Sequence, residues 1–165
     1  MPYLLDSNVF IQAKNLYYGF DFCPAFWNWL DQASANGTVL SIEKVGDELK
    51  AGADQLATWA TQRPAMFLPP DNATVASLRT LAQWASDEVA NGRYRPAALN
   101  TFLQVADYYL VAQAHSAGLV VVTHELADNA IKRIYIPNAC IALGVKFINT
   151  FEMLRTERVR FMLGP

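Results

Sequence analysis

Two carboxylates follow apolar segments that have the composition of buried parallel strands. Asp6 comes directly after the run Tyr3–Leu5, and Glu125 comes three positions after the run Val120–Val122. In open α/β sheets, ligands bind in the crevice outside the carboxyl ends of the strands. The positions of Asp6 and Glu125 therefore predict that both acids face one site. A structural role also explains each of them, because acids are favoured at helix N-caps and in first helical turns.

Two further acids lie on segments with helical periodicity. Asp107 lies within or beside an apolar stripe, and Glu48 lies on a helix that is predicted to begin after Ser41 as its N-cap. Acidic side chains are almost never fully buried unless they are paired or bound to a metal, so Asp107 is the more informative of the two. A role at the helix start or an arginine partner also explains Asp107, and most glutamates such as Glu48 are simply solvated.

The helix that carries Glu48 also carries Glu43, and helical geometry indicates which of the two is the better candidate for a metal ligand. Successive residues advance by about 100°, and Ile42, Val45 and Leu49 define the buried face. Glu48 then lies about 90° from the centre of that face, at its border, while Glu43 lies about 130° away. A metal ligand has to reach a cleft without being wholly in water. The border position therefore favours Glu48, and Glu43 is expected in a supporting role.

Carboxylates gathered at one site repel each other unless a cation neutralises them. Hard oxygen ligands suit Mg²⁺ or Mn²⁺. Such ions activate bound water and stabilise charge on a phosphoryl group. If Asp6, Glu48, Asp107 and Glu125 converge, the reaction that they indicate is metal-assisted hydrolysis of a phosphodiester bond.

Alternating elements are predicted to position these acids. Apolar runs indicate strands, and segments of helical periodicity lie between them, which is typical of a parallel sheet with helices on both faces. The predicted strands are 3–5, 38–40, 65–68, 119–122 and 145–148, with a further short extended piece at 134–136. The predicted helices include 24–35, 42–50, 53–62, a long one after Asp71, one opened by Pro96, one over 106–117 and a last short one over 151–155.

Composition restricts the class of protein. The chain has 165 residues, 53% of them hydrophobic and 17% charged, which predicts one folded domain over residues 1–165. It contains no membrane-length apolar run and no signal peptide, so a cytoplasmic location is expected. The net charge of −2 argues against broad nucleic-acid binding through a basic surface. A local basic path for RNA is still open, with candidates Lys14, Lys44, Lys50, Arg93, Arg95, Lys132 and Arg133.

Four segments resemble, in order, the acidic motifs of PIN domains. They are Leu5–Asn8, Ser41–Leu49, Ala106–Ala112 and Val121–Glu125, the last with Glu where PIN domains usually have Asp. Each motif alone is weak, but four in this order span almost the whole chain. Further segments, among them 10–14, 23–27 and 136–140, look like a less characterised bacterial subgroup of PIN-like proteins.

The resemblance implies a PIN-like three-layer α/β/α sandwich with a mainly parallel central sheet and a helical insertion. PIN domains are typically metal-dependent ribonucleases, and many are VapC-type toxins of toxin–antitoxin pairs. The resemblance therefore implies an RNA substrate, an antitoxin partner, and Mg²⁺ or Mn²⁺ held by Asp6, Glu48, Asp107 and Glu125. The residues expected to support this site are Ser7, Asn8, Glu43 and Thr123.

Other functions stay open from the sequence. A structure-specific DNA nuclease uses similar carboxylates, and a degenerate PIN module would bind RNA or a protein without catalysis. The helices between Ala53 and Asn91, with Trp59 and Trp84, are a candidate surface for the antitoxin. Packing within the chain or a homodimer explains these helices equally well.

Overall fold

A five-stranded parallel sheet forms the centre of the computed structural model, which describes residues 2–164. The strands are β1 (Tyr3–Leu5), β2 (Val39–Ile42), β3 (Phe67–Leu68), β4 (Val120–Val122) and β5 (Phe147–Ile148). Their order across the sheet is β3-β2-β1-β4-β5, and every neighbouring pair is parallel. The all-parallel pairing agrees with the apolar strand sequences, which indicate burial on both faces.

The order of the strands creates a switch point beside β1. The chain leaves β1 towards β2 and β3 on one side, then crosses over to β4 and β5 on the other. In register, Leu5 of β1 is aligned with Val122 of β4. Ligands bind at such switch points in open α/β sheets, so the residues that directly follow β1 and β4 occupy the expected position of a site.

Helices flank the sheet and connect its strands. Within residues 2–164 they are α1 (Ser7–Gln12), α2 (Pro24–Ala35), α3 (Glu43–Ala51), α4 (Gln55–Thr61), α5 (Asn72–Ala90), α6 (Pro96–Phe102), α7 (Ala106–Ala117), α8 (Ile136–Leu143) and α9 (Thr150–Thr156). Three of them, α5 to α7, lie between β3 and β4. Helix α5 has the N-cap predicted at Asp71, whose side chain accepts a hydrogen bond from the N–H of Thr74. Helix α7 ends at Gly118, which adopts a positive φ of 67°.

One continuous core of buried apolar side chains joins the sheet to the helices. Leu5, Phe10, Ile42, Leu110 and Val122 are among its fully buried members. This core extends through all the elements that carry the candidate acids, so their backbone positions are fixed by packing. No helix of the described residues is long and apolar enough to cross a membrane. The ends of the predicted domain, Met1 and Pro165, lie outside the described residues, and the single-domain assignment stays a prediction.

Three local expectations were wrong. Ser41 is not a helix N-cap, because β2 continues through Ile42 and the Ser41 hydroxyl donates to the carbonyl of Leu5 instead. Residues 134–136 form no strand, since α8 already begins at Ile136. Residues 65–68 are strand only at Phe67 and Leu68, after a 3₁₀ turn over Pro64–Met66. Residues 13–17, directly after α1, form a π-helix.

The tryptophan surface between α4 and α5 is also only partly as expected. Trp59 is 6% exposed, and its ring packs against Phe10 and Trp27. Trp84 is half-buried and packs edge-to-face against Tyr94. Packing within the chain therefore explains Trp59, and this residue is not available to a partner.

Candidate functional site

A cavity of about 380 Å³ opens at the carboxyl ends of β1 and β4. Its acidic side is formed by Glu48, Asp107 and Glu125, from α3, α7 and the segment after β4. The remaining lining residues are Ser7, Asn8, Ile11, Ala98, Thr101, Phe102, Val105, Lys132, Arg133 and Ile134. Three of the four predicted acids thus line one cavity, and the fourth, Asp6, lies beside Ser7 next to it.

Asp6 is the most deeply buried of the four acids, with 1% of its surface exposed. It occupies the N-cap position of α1, yet its side chain makes no capping hydrogen bond. Its backbone N–H donates to the carbonyl of Val122, which extends the pairing of β1 with β4 by one residue. The side chain instead accepts hydrogen bonds from two hydroxyls, Ser7 Oγ at 3.3 Å and Thr123 Oγ1 at 3.1 Å. The N-cap explanation of Asp6 therefore accounts for its position and not for its side chain.

Thr123 connects the first and the fourth of the predicted motifs. Its hydroxyl donates to Asp6 and accepts a hydrogen bond from the backbone N–H of Glu125 at 3.1 Å. Thr123 is 2% exposed, so this bridge lies in the protein interior. One hydroxyl thus fixes the position of the Asp6 carboxylate relative to the segment that carries Glu125.

Asp107 is the second residue of α7, and its side chain is 18% exposed. The positive end of the helix dipole favours an acid in this first turn. The nearest cationic group is the guanidinium of Arg133, with 3.9 Å between Nη2 and Oδ2, which is beyond hydrogen-bond distance. Asp107 therefore faces the cavity without a close cationic partner among the described residues.

Glu125 is held on both of its carboxylate oxygens. Oε1 accepts a hydrogen bond from Nη2 of Arg133 at 2.5 Å, and Oε2 accepts one from the backbone N–H of Ile136 at 2.8 Å. The side chain is 10% exposed. The first contact neutralises its charge, and the second attaches it to the N-terminus of α8.

The helix α3 has the buried face that the helical phase predicted, but burial does not separate its acids. Val45 and Leu49 are buried, while Glu43, Asp47 and Glu48 are exposed to solvent. Of these three, only Glu48 lines the cavity with the other acids. Glu43 lies in the first turn of α3, outside the cavity lining, so the structure does not bring it together with the other predicted site residues.

Burial and mutual repulsion make two of the acids hard to ionise. Burial, followed by the charge of Glu125, raises the pKa of Asp6 to about 6, although the Thr123 hydroxyl lowers it. Burial, followed by the charges of Asp6 and Glu125, raises the pKa of Asp107 to about 7, although Arg133 lowers it. The site therefore carries more negative charge than its own cations neutralise.

The cavity offers carboxylate oxygens from Glu48, Asp107 and Glu125, which suit a hard divalent cation, and it is also lined by Lys132 and Arg133. The acids are, however, spaced more widely than the ligands of a metal ion. Within residues 2–164, no three Asp, Glu, His or Cys side chains are gathered closely enough to hold a metal ion. Asp6, Asp107 and Glu48 have the oxygens that could bind one, whereas Glu125 has both oxygens engaged. The ligand roles of all four acids stay predictions.

The sequence did not reveal two features of this site. Arg133 was considered only as part of an RNA path, and its contacts with Glu125 and Asp107 follow from an irregular segment with no periodicity to interpret. The apolar wall of the cavity comes from Ala98 and Phe102 of α6 and from Ile134. The predicted helix at Pro96 could have indicated this wall only if its packing against the site were known.

Solved structures with the same fold were found at low sequence identity. VapBC2 from Rickettsia felis, bound to a DNA fragment from their promoter, shares 14% identity and a TM-score of 0.56, covering 90% of this chain and 98% of that chain. FitAcB from Neisseria gonorrhoeae shares 19% identity and a TM-score of 0.52, with the same coverage. FitAB bound to an IR36 DNA fragment shares 18% sequence identity and a TM-score of 0.53, covering 89% of this chain and 94% of that chain. The chain therefore has the PIN-like α/β fold that the sequence predicted.

A narrower assignment comes from the sequence family. The chain belongs to the DUF4411 family, a domain family of unknown function, which matches residues 3–161. No curated protein matches the chain.

Proposed function

We propose that the chain is a Mg²⁺- or Mn²⁺-dependent endoribonuclease that hydrolyses RNA phosphodiester bonds. One observation carries the proposal: the acid after β1, the acid after β4 and one acid each from α3 and α7 lie in or beside one cavity at the switch point of a PIN-like sheet. Structural needs alone do not favour bringing these acids together, since, after burial, the charges of Glu125 and Glu48 both raise the pKa of Asp6 and of Asp107. A cation that binds there would offset this effect.

Each residue of the site would have a separate role in binding the cation. Asp6, Asp107 and Glu48 would hold the cation, and the hydroxyls of Ser7 and Thr123 would keep the Asp6 carboxylate in one orientation. Glu125 would contribute mainly its charge, because both of its oxygens are engaged. When bound, the cation supplies an activated water and stabilises the negative charge on the phosphoryl oxygens.

A cleavage assay with both nucleic acids tests this function. Purified protein is incubated with single-stranded RNA and with DNA of the same sequence, in Mn²⁺, in Mg²⁺ and in EDTA. We expect cleavage of RNA in either metal and none in EDTA. Asp6→Asn should be inactive, and Asp21→Asn, which changes an exposed acid outside the cavity, should be fully active.

Either of two results would contradict the proposal. Full activity in EDTA would remove the metal from the mechanism, and cleavage of DNA alone would favour the structure-specific DNA nuclease. Asp6→Asn keeps the size of the side chain and removes a buried charge, so loss of folding is not an expected explanation for its inactivity.

We further propose that a small antitoxin protein covers the site in the cell. Exposed apolar side chains follow α1 along the chain: Leu16 is 65% exposed, Tyr17 42% and Phe22 65%. Ile11 of α1, which lines the cavity itself, is 36% exposed. Apolar residues at this density on a surface are typical of protein contacts. Light scattering of the protein alone and with the product of the neighbouring gene tests this partner. A strict monomer that binds nothing would contradict both the antitoxin and a homodimer.

A second function has one specific observation in its favour. The complete engagement of Glu125 by Arg133 and the N–H of Ile136 leaves fewer free ligands than a metal centre usually has. A non-catalytic module that binds RNA would fit this arrangement. It predicts RNA binding in EDTA that Asp6→Asn leaves unchanged, with no cleavage in any metal.

A further inference from the structure

Arg133 is the side chain that stands where a cation would be needed. Its guanidinium contacts Oε1 of Glu125 at 2.5 Å and lies 3.9 Å from Oδ2 of Asp107. It is the one residue of the described chain that forms ion pairs with any of the four acids. The neighbouring Lys132 lines the same cavity and forms no ion pair with a described acid.

The position of Arg133 depends on side-chain contacts rather than on regular structure. The residue lies between β4 and α8, in a segment without helix or strand, and its side chain is 51% exposed. Its guanidinium also lies over the ring of Tyr135, 4.4 Å from the ring centroid. A half-exposed side chain held by one carboxylate and one aromatic face can leave the site without any change in the core.

Glu125 does not depend on Arg133 for its own position. Its other oxygen accepts the N–H of Ile136, and its backbone N–H donates to Thr123. If Arg133 moved away, Glu125 would keep its orientation and would have one oxygen free. Within residues 2–164, the acids of the site would then lose the one cationic side chain that forms ion pairs with them, which favours the entry of another cation.

We propose that Arg133 is an internal cation that competes with the divalent metal for the carboxylates of the site. In the metal-free chain it neutralises Glu125 and partly Asp107. A divalent cation held by these carboxylates would compete with the guanidinium for Oε1 of Glu125. This inference rests on the proposed metal site, and it adds that Arg133 lowers the affinity of that site for the metal.

Mutating a residue of a metal site usually weakens metal binding, but the competition predicts the opposite for Arg133. Arg133→Gln should tighten Mn²⁺ binding, because the metal no longer has to displace a charged hydrogen bond. The expected decrease in the Mn²⁺ dissociation constant is about tenfold, the range of one charge-assisted hydrogen bond near a protein surface. A residue that merely supports the structure of the site would weaken binding when it is changed.

Calorimetric titration of the purified chain with MnCl₂ at about 0.15 M salt tests the proposal, since salt at this concentration screens distant charges. Lys132→Gln is the matched control, because it removes the same charge from the same cavity wall. Its dissociation constant should stay within about twofold of the wild type. Arg133→Met is a second variant, which keeps an apolar side chain against Tyr135 while removing the charge, and it should also tighten binding. Circular dichroism checks that each variant is folded.

Three outcomes separate this inference from the proposed function. Tighter binding in Arg133→Gln and Arg133→Met, but not in Lys132→Gln, supports the competition. If the wild type binds Mn²⁺ and Asp6→Asn does not, while neither Arg133 variant binds more tightly, the inference is wrong and the metal site stands. If the wild type does not bind Mn²⁺ and the Arg133 variants do not either, both the inference and the metal-dependent function fall.

Discussion

The inner and the outer acids of the site are neutralised in different ways. Of the inner pair, Asp6 and Asp107, Asp6 is buried and accepts hydrogen bonds from the neutral hydroxyls of Ser7 and Thr123. Asp107 has 18% of its side chain exposed, and Arg133 comes no nearer to it than 3.9 Å. The outer acid, Glu125, has a guanidinium on one oxygen and a helix N–H on the other. The inner pair therefore needs a cation that the chain does not supply, whereas the outer acid already has one.

This difference has a functional meaning. A carboxylate that the protein has already paired is stabilised where it is, and it gains little from a metal ion. Carboxylates buried without a pair are costly to the folded state and gain most from one. We therefore expect the inner pair, together with Glu48 at the cavity wall, to dominate metal binding, and Glu125 to contribute only to the extent that Arg133 leaves its Oε1.

The largest expected effect concerns the three acids of α3. Glu48→Gln should reduce metal-dependent RNA cleavage by more than about 100-fold, beyond the loss typical of residues that only support a metal ligand. Asp47→Asn and Glu43→Gln should cleave at close to the wild-type rate, because neither lines the cavity with the other acids. The sequence alone suggested an intermediate effect for Glu43. Initial cleavage rates of the three variants on one RNA substrate test this prediction. An inactive Glu43→Gln together with an active Glu48→Gln would show that Glu43, and not Glu48, is the metal ligand of α3.

The pH dependence of stability tests the unpaired state of the inner acids. Their folded-state pKa values, about 6 for Asp6 and about 7 for Asp107, lie above the unfolded value of 3.8. The folded state therefore binds more protons, and the stability that this gives is present below about pH 4 and is lost as the pH rises through 6 and 7. In EDTA, the free energy of unfolding should fall by on the order of 2–4 kcal/mol between pH 5 and pH 8.

Urea denaturation at the two pH values measures this difference, and Asp6→Asn is the variant that isolates it. The substitution removes one titrating group and its repulsion of Asp107, so it should flatten the pH dependence and stabilise the chain at pH 8. A variant with the same pH dependence as the wild type would contradict the raised pKa of Asp6.

The smallest effect is expected where the inner and outer parts meet, at Thr123. Thr123→Val removes the hydroxyl that bridges Asp6 and the N–H of Glu125, and it leaves a buried acceptor and a donor without this partner. The expected cost is about 1–3 kcal/mol in the free energy of unfolding. Thr123→Ser, which keeps the hydroxyl, is the control and should recover most of the loss. Equal stability of the Val and Ser variants would show that the bridge is unimportant.

The sequence predicted the inner part of the site better than the outer part. Asp6 follows a strand whose apolar run fixes both its burial and its neighbours, and Asp107 was conspicuous as an acid beside an apolar stripe. Both predictions rest on regular elements, whose hydrophobic periodicity can be recognised in the sequence. The pairing of Glu125 with Arg133 depends on an irregular segment, in which spacing along the chain says nothing about distance in space.

The errors in the fold have a similar origin. Ser41 has the residue type of a helix N-cap, but tertiary pairing with β1 and β3 carried β2 past it. Trp59 looked available on an amphipathic helix, and only the packing of α4 against Phe10 and Trp27 shows that it belongs to the core. In both cases a local preference was correct for the segment and was overridden by a distant contact.

The number of Mn²⁺ ions bound by the intact chain is the decisive measurement for a metal centre formed by these carboxylates. Free Mn²⁺ gives an electron paramagnetic resonance signal that is lost when the ion binds, so the spectrum counts bound ions without any requirement for activity. We predict saturable binding in the wild type and in Asp21→Asn, and loss of that binding in Asp6→Asn. Equal binding by all three proteins, or no binding by the wild type, would contradict the assignment of these carboxylates to a metal centre.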